Sequence, residues 1–245
     1  MQPIYSQEFR INDAASDRFG RLKPSMLLYY IQEVAGVHGS ALGVSFEALA
    51  EKNLFWAILR TRVQITRLPR NSETIRLETW PMPTTRVAYP RSVVAYDADG
   101  QEVFRAISLW VMMDRTTRAM VLPAKSGFSF SGTLQGNELA VPSSLLPKIY
   151  ENRCSRTVRF TDLDVNGHMN NTRYFDWMFD VLPSHFHANH TMKELTICYL
   201  AEAREGQTLD MNWEISDGSL FQMETRRTEE SGDEHRVFAA KILFE

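Results

Sequence analysis

Arg159-Phe-Thr-Asp-Leu-Asp-Val-Asn-Gly-His-Met-Asn-Asn-Thr-Arg-Tyr-Phe-Asp-Trp177 gathers acid, amide and imidazole side chains just ahead of an amphipathic run. Asp164, Asn166 and His168 stand at i, i+2 and i+4, which sends all three side chains to one side of an extended backbone. The helix expected next would aim amide N–H groups at the same place, a setting suited to a developing oxyanion. Asp, Asn and Gly also satisfy their own backbone in ordinary loops, and a lone histidine is usually a core or capping residue. Asp162, Asp164, Asn166 and Gly167 fill positions 1, 3, 5 and 6 of an EF-hand loop, but position 12, which must supply a bidentate Glu, is Arg173. Calcium is therefore set aside, and the stretch is read as a catalytic segment.

Outward from this segment, one order of elements occurs twice. In the first half a short strand over 3 to 10 enters the loop Asn12-Asp-Ala-Ala-Ser-Asp-Arg-Phe-Gly-Arg21. After Pro24, residues Met26, Leu27, Tyr30, Ile31, Val34, Ala35, His38 and Leu42 recur at helical steps until Gly43. From residue 54 the period is two, Phe55, Ala57, Leu59, Val63 and Ile65 alternating with Arg60, Arg62 and Gln64. Strands are expected over 73 to 81, 86 to 97 and 101 to 113, the last two joined by the turn signal Asp97-Ala-Asp-Gly100. Between Pro123 and Cys154 the pattern dissolves, starting with Ser126-Gly-Phe-Ser-Phe-Ser-Gly132, and reads as a linker. The order then resumes: a strand over 155 to 161, the motif loop, a helix from Asn171 to Leu182 stopped by Pro183, and strands over 193 to 202, 207 to 216, 219 to 228 and 233 to 244.

A shift of 147 sets Asp17 on Asp164, Gly20 on Gly167, Leu22 on Met169, Ser25 on Thr172 and Tyr30 on Trp177; a shift of 134 sets Val63 on Ile197, Ile65 on Tyr199, Arg70 on Arg204 and Ile75 on Leu209. The halves are diverged copies, the first with a 13-residue longer connection after its helix. In these registers Asn166 corresponds to Phe19, His168 to Arg21 and Glu202 to Leu68. Polar equipment survives in one copy only, which points to a single active site in the second half.

Composition agrees with a soluble globular protein. The 245 residues carry a net charge of −3 and the pI is near 6.1, which disfavours nucleic-acid binding and a polybasic membrane surface. The N-terminus lacks a basic segment followed by an apolar run, and no segment is long enough for membrane insertion. Cys154 and Cys198 have no metal or redox spacing. Reduced thiols and a cytoplasmic location are expected. His185-Phe-His-Ala-Asn-His190 lacks a Cys or carboxylate partner and is not read as a zinc tract, and no glycine-rich phosphate loop is present. No cofactor is expected.

The chain resembles the acyl-ACP thioesterases of plants and bacteria over nearly its whole length. The resemblance rests on Phe55-Trp-Ala-Ile-Leu-Arg-Thr-Arg-Val-Gln-Ile65, Glu78-Thr-Trp-Pro81 and Ser108-Leu-Trp-Val-Met-Met-Asp-Arg-Thr-Thr-Arg118 in the first half. In the second it rests on Asp162-Leu-Asp-Val-Asn-Gly-His-Met-Asn-Asn-Thr-Arg-Tyr174 and Tyr199-Leu-Ala-Glu-Ala203. It implies an α+β tandem hot-dog, two helix-wrapped antiparallel sheets forming one extended sheet. Residues 1–122 are expected as an N-terminal hot-dog unit (scaffold and acyl pocket), 123–154 as linker and 155–245 as the catalytic unit. Carried over by position, Asp164, Asn166, His168 and Glu202 are the catalytic residues. Where plant members have a cysteine after the catalytic glutamate, this chain has Ala203; Cys198 is a small buried hydrophobe by default, so hydrolysis would proceed through a carboxylate and water.

The expected mechanism has Glu202 or Asp164 as general base on water, or Asp164 as an acylated nucleophile, with His168 orienting the thioester or protonating the thiolate and Asn166 holding the carbonyl oxygen. The acyl chain would lie along Met26, Leu27, Tyr30, Ile31 and Val34. The implied partner is acyl carrier protein bearing a fatty acyl-phosphopantetheine, an acidic protein for which Arg153, Arg156, Arg159, Arg173 and Arg204 are contact candidates. A chain holding two copies already contains a pseudo-dimer, and a further homodimer stays open. The competing readings are an acyl-CoA thioesterase, a hot-dog dehydratase and a non-catalytic acyl-binding regulator.

Overall fold

The computed structural model describes residues 3–136, 138–229 and 231–245 and divides into two units, Met1–Pro142 and Ser143–Glu245. In the first, β1 (Tyr5–Arg10) leads through a short 3-10 turn into α1 (Pro24–Ala41) and α2 (Phe46–Ala50). Then come β2 (Leu54–Ile65), β3 (Thr74–Pro81), β4 (Tyr89–Tyr96), β5 (Glu102–Asp114), the two-residue β6 (Met120–Val121) and α3 (Pro123–Ser126). The second unit has β7 (Asn152–Thr157), another 3-10 turn, α4 (Arg173–Asp180), α5 (Ser184–Asn189), β8 (Met192–Tyr199), β9 (Thr208–Ser216), β10 (Leu220–Thr228) and β11 (Glu234–Phe244).

Strand order is β1-β3-β4-β5-β2 in the first unit, with β6 on β5, and β8-β11-β10-β9-β7 in the second. Read from the β1 and β7 edges, the two orders are the same, and all named pairings are antiparallel. Each unit sets a helix on an antiparallel sheet. The chain is a tandem hot-dog.

α1 starts at Pro24, whose missing N–H costs nothing in a first turn, and ends ahead of Gly43 at φ +78°. Leu27, Tyr30, Ile31, Val34 and His38 share its buried face, while Met26 is half-buried. Each fully buried aliphatic side chain there contributes about 1.5–3 kcal/mol. α4 is shorter than its expected span. Asn170 Oδ1 accepts from both the amide and the hydroxyl of Thr172, holding that corner as a turn, and Pro183 stops the chain at the other end. Tyr174, Phe175, Trp177 and Met178 are buried, and Tyr174 stacks on Phe238 of β11 at 4.7 Å.

Two expectations change. β2 does not alternate uniformly, because a bulge between Ile58 and Arg60 reverses its faces. Ile58, Thr61, Val63 and Ile65 are buried, whereas Ala57 and Leu59 pack with Ala88, Leu109 and Val111 in a separate cluster. The stretch expected as a linker is shared between the units rather than standing apart from both. Ser126 Oγ meets Tyr89 Oη at 2.7 Å, Phe130 exchanges backbone and hydroxyl bonds with Thr84, and Thr133 N donates to Pro81 O at 2.9 Å. Past the division, Leu145 N donates to Cys198 Sγ at 3.4 Å, Arg236 to Leu145 O at 3.1 Å, and Lys148 pairs with Glu214. Its Phe128 and Phe130 were apolar material for the first unit's core.

Candidate active site

The motif backbone is a tight hairpin rather than an extended strand. Leu163 bridges Met169, Asp164 N donates to His168 O at 2.8 Å, and Gly167 N donates to Asp164 O at 3.0 Å with Gly167 at φ +74°. Asp164 Oδ1 accepts the amides of Asn166 (2.8 Å) and His168 (3.3 Å). Both ends of its carboxylate are engaged, since Asn166 Nδ2 lies 3.4 Å from Oδ2.

The same turn occurs at Asp17. Asp17 N donates to Arg21 O at 2.7 Å, Gly20 N donates to Asp17 O at 2.9 Å, Asp17 Oδ1 accepts from Phe19 N and Arg21 N, and Gly20 has φ +71°. The bond from Leu22 N to Pro69 O is matched by Met169 N to Ala203 O, and the bridge of Arg21 with Arg70 by His168 with Arg204. Both register shifts read from the sequence thus recur bond by bond. A third copy at Asp97-Ala-Asp-Gly-Gln101 serves only as the β4–β5 hairpin, Asp97 Oδ1 accepting from Asp99 N and Gln101 N. The carboxylate at the head of this turn is a backbone device.

What differs is the decoration. In the first unit Arg21 folds back onto Asp17, Nε to Oδ2 at 3.0 Å, and lies over the Phe19 ring. In the second, His168 Nε2 lies 3.1 Å from Glu202 Oε2. The His168 side chain keeps 16 % exposure and that of Glu202 39 %, so the pair is reachable from solvent while the imidazole is mostly enclosed. Asn166 is exposed beside it. The Glu202 loop is fixed by residues that the sequence reading missed. Arg227 Nη1 donates to Glu202 O at 2.7 Å and to Gln207 Oε1 at 3.3 Å, and Gln207 Oε1 accepts from Arg204 N at 2.8 Å. An arginine within the run Glu224-Thr-Arg-Arg-Thr228 gives no periodic signal that would have marked it.

Residues 2–123 match the sequence model of the acyl-ACP thioesterase N-terminal domain and residues 149–245 that of its C-terminal domain. The chain belongs to the acyl-ACP thioesterase family. Among curated relatives of the family, it is 27 % identical over 233 residues to the chloroplastic palmitoyl-acyl carrier protein thioesterase of Gossypium hirsutum, covering 88 % of this chain and 56 % of that one. The chain spans about half the length of the curated relatives it matches. The crystal structure of an acyl-ACP thioesterase from Bacteroides thetaiotaomicron superposes with a TM-score of 0.88 at 24 % identity, covering 99 % of this chain and 98 % of that one. The 12:0-ACP thioesterase from Umbellularia californica gives 0.83 at 21 %, covering 100 % and 98 %. These two likenesses carry the fold.

Within this acyl-ACP thioesterase fold, the helix amides are less available than expected, since Thr172 N and Arg173 N are both taken by Asn170. The arginine candidates separate. Arg153 pairs with Asp210 and Arg156 with Asp180, while Arg173 is spent internally on Asp162, Asp176 and Thr161 O. Arg159 and Arg204 are exposed and form no ion pair among the described residues. Cys198 is buried and Cys154 exposed, neither in a disulfide. His187 and His190 each meet a backbone carbonyl, of Phe179 and Phe186 respectively, and no group of three potential metal ligands occurs among the described residues. No described helix is long and apolar enough to cross a membrane.

Proposed function

We propose that the chain hydrolyses the thioester of fatty acyl-ACP, releasing free fatty acid and holo-ACP and so ending fatty acid synthesis. The observation that carries this reading is the His168–Glu202 pair, 3.1 Å apart, where the corresponding positions of the other unit are Arg21 and Leu68. Glu202 takes a proton from water as the water oxygen bonds to the acyl carbon. The C–S bond then breaks, and the proton reaches the departing sulfur through the His168 imidazole. Asn166 donates to the carbonyl oxygen as it becomes an oxyanion, a contact typically worth roughly 2.7–4 kcal/mol. Asp164 holds the turn that presents Asn166 and His168, and Arg227 holds the loop that presents Glu202.

Exposed Arg159 and Arg204, with exposed Phe160 and Val165 in the segment after Arg159, suit an acidic carrier protein better than a free nucleotide handle. Free thiols at Cys154 and Cys198 are compatible with action in a reducing compartment such as the cytoplasm. The acyl chain is assigned to the buried face of α1.

The test is thiol release from a panel of acyl-ACPs and matching acyl-CoAs by the wild-type protein, His168→Ala and Glu202→Gln. The expected result is turnover with a preference for the ACP series, falling at least a hundredfold in both variants at unchanged thermal midpoints. Equal turnover of both series would replace the carrier with coenzyme A. No turnover on either, with acyl-ACP raising the melting temperature, would make the protein an acyl-binding one.

A further inference from the structure

β4 is buried along seven consecutive residues, Tyr89 to Ala95, and a guanidinium is among them. Arg91 is only 8 % exposed. Its Nη1 donates to His38 Nδ1 at 3.1 Å and to Thr79 Oγ1 at 3.2 Å, and no carboxylate pairs with it among the described residues. A guanidinium can only donate, so His38 Nδ1 accepts, and the proton of a neutral ring sits on Nε2. Burial lowers the Arg91 pKa to about 10, which leaves it charged at neutral pH.

Strand register extends this group across the sheet. Arg91 opposes Ser108 on β5, and Ser108 opposes Thr61 on β2, with the two hydroxyls 3.1 Å apart. Thr79 on β3 opposes Val93, one pleat from Arg91. Arg91, Ser108 and Thr61 therefore form a polar row on the face that carries the bond to His38 of α1, and Thr79, at the β3 end of the next row, reaches Arg91 from beside it. Beyond Thr79, the rest of that next row, Val93, Ala106 and Val63, is buried and apolar, as are Leu27, Ile31 and Val34 on α1.

We propose that this polar row is the end wall of the acyl pocket and sets the longest hydrocarbon chain the protein accepts. The proposal rests on the assignment of the acyl chain to α1 made above. Two contacts from Nη1 leave the donors of Nε and Nη2 to be met by water, and a methyl group pressed against them removes that water without replacing its bonds. Each donor so stranded costs about tenfold in affinity. Below the limit, each added methylene gains about fourfold. An ω-hydroxyl brings an acceptor to the wall, so the ω-hydroxy acid of the first excluded length is accepted where the plain acid is not.

The experiment measures dissociation constants of straight-chain acids from octanoate to octadecanoate, and of their ω-hydroxy counterparts, for the whole chain as wild type, Arg91→Met and Thr61→Val. The wild type is expected to tighten with length and then break by tenfold or more, with the ω-hydroxy acid restoring binding at the break. In Arg91→Met the break moves at least two carbons longer and the hydroxyl advantage disappears. Thr61→Val, close to isosteric, moves it in the same direction and carries the test if Arg91→Met fails to melt cooperatively. An unbroken wild-type series, a break at the same length in the folded variants, or no acid bound by the wild type would each overturn the proposal. Acyl-ACP hydrolysis measured alongside separates the two readings: turnover with an unmoved length limit sinks only the wall, and a movable limit without turnover sinks only the hydrolase.

Discussion

At the scale of single residues, Asp164 and Glu202 were indistinguishable as bases in the sequence, and their contacts differ in the structure. Asp164 is occupied by two backbone amides, as are Asp17 and Asp97 in turns that carry no candidate chemistry. Asn can accept the same amides, so Asp164→Asn should keep more than a tenth of turnover and stay within about 0.5 kcal/mol of wild-type stability. A thousandfold loss in a folded variant would return the carboxylate to the chemistry. Asp164→Ala and Asp17→Ala should each lose about 1 kcal/mol in denaturant unfolding, because each strands the same amides. The four candidate residues stood out because three crowd into one segment, with one glutamate later in the chain. Arg227 was not, since it acts by reaching the Glu202 carbonyl from another strand, and no local pattern records such a reach.

Among the elements, strand positions followed the period-two pattern except at β7, expected over 155 to 161 and found at Asn152–Thr157, while the bulge at Ile58 to Arg60 and the docking of residues 123 to 133 did not show. A bulge adds one residue without changing composition, and a Ser/Gly/Phe-rich stretch reads as loop whether or not it packs. Gly132 tests the docking. A Cβ there would lie 2.2 Å from the Met82 carbonyl carbon and Pro83 nitrogen, and its φ is +69°, whereas Gly136 at φ +84° faces open space. Gly132→Ala should cost more than about 2 kcal/mol and Gly136→Ala only about 1, both read from unfolding midpoints. The β4–β5 hairpin carries a pH signature. The Asp97 carboxyl is held below its usual range first by the Arg67 guanidinium and next by the Gln101 amide. A depressed folded-state pKa means stability present above the unfolded value, about 3.9, and lost as the pH falls through the folded one. Asp97→Asn keeps the turn but not the charge, so its melting temperature should fall less than that of wild type between about pH 5 and pH 2.

Over the whole molecule, the repeat was the most legible feature, because hydrogen bonds at matched positions preserve register even where side chains have diverged. In one copy Arg21 closes onto the turn, and in the other His168 reaches Glu202. Giving the second copy the first one's residues, by Asn166→Phe, His168→Arg and Glu202→Leu together, should abolish turnover while leaving the thermal midpoint unchanged or higher, since the introduced guanidinium can close onto Asp164 as Arg21 closes onto Asp17. The strap beyond β6 has a consequence in time. A ribosome delivers the chain in order, and the sheet of the first unit is complete at Val121, before Phe128 and Phe130 exist to cover Trp56, Tyr89 and Met112. At roughly 5–20 residues per second, the nascent chain presents that aromatic patch bare for about a second. Codon tempo just after β6, rather than any contact in the finished fold, then governs how long a nascent chain can be caught by its neighbours.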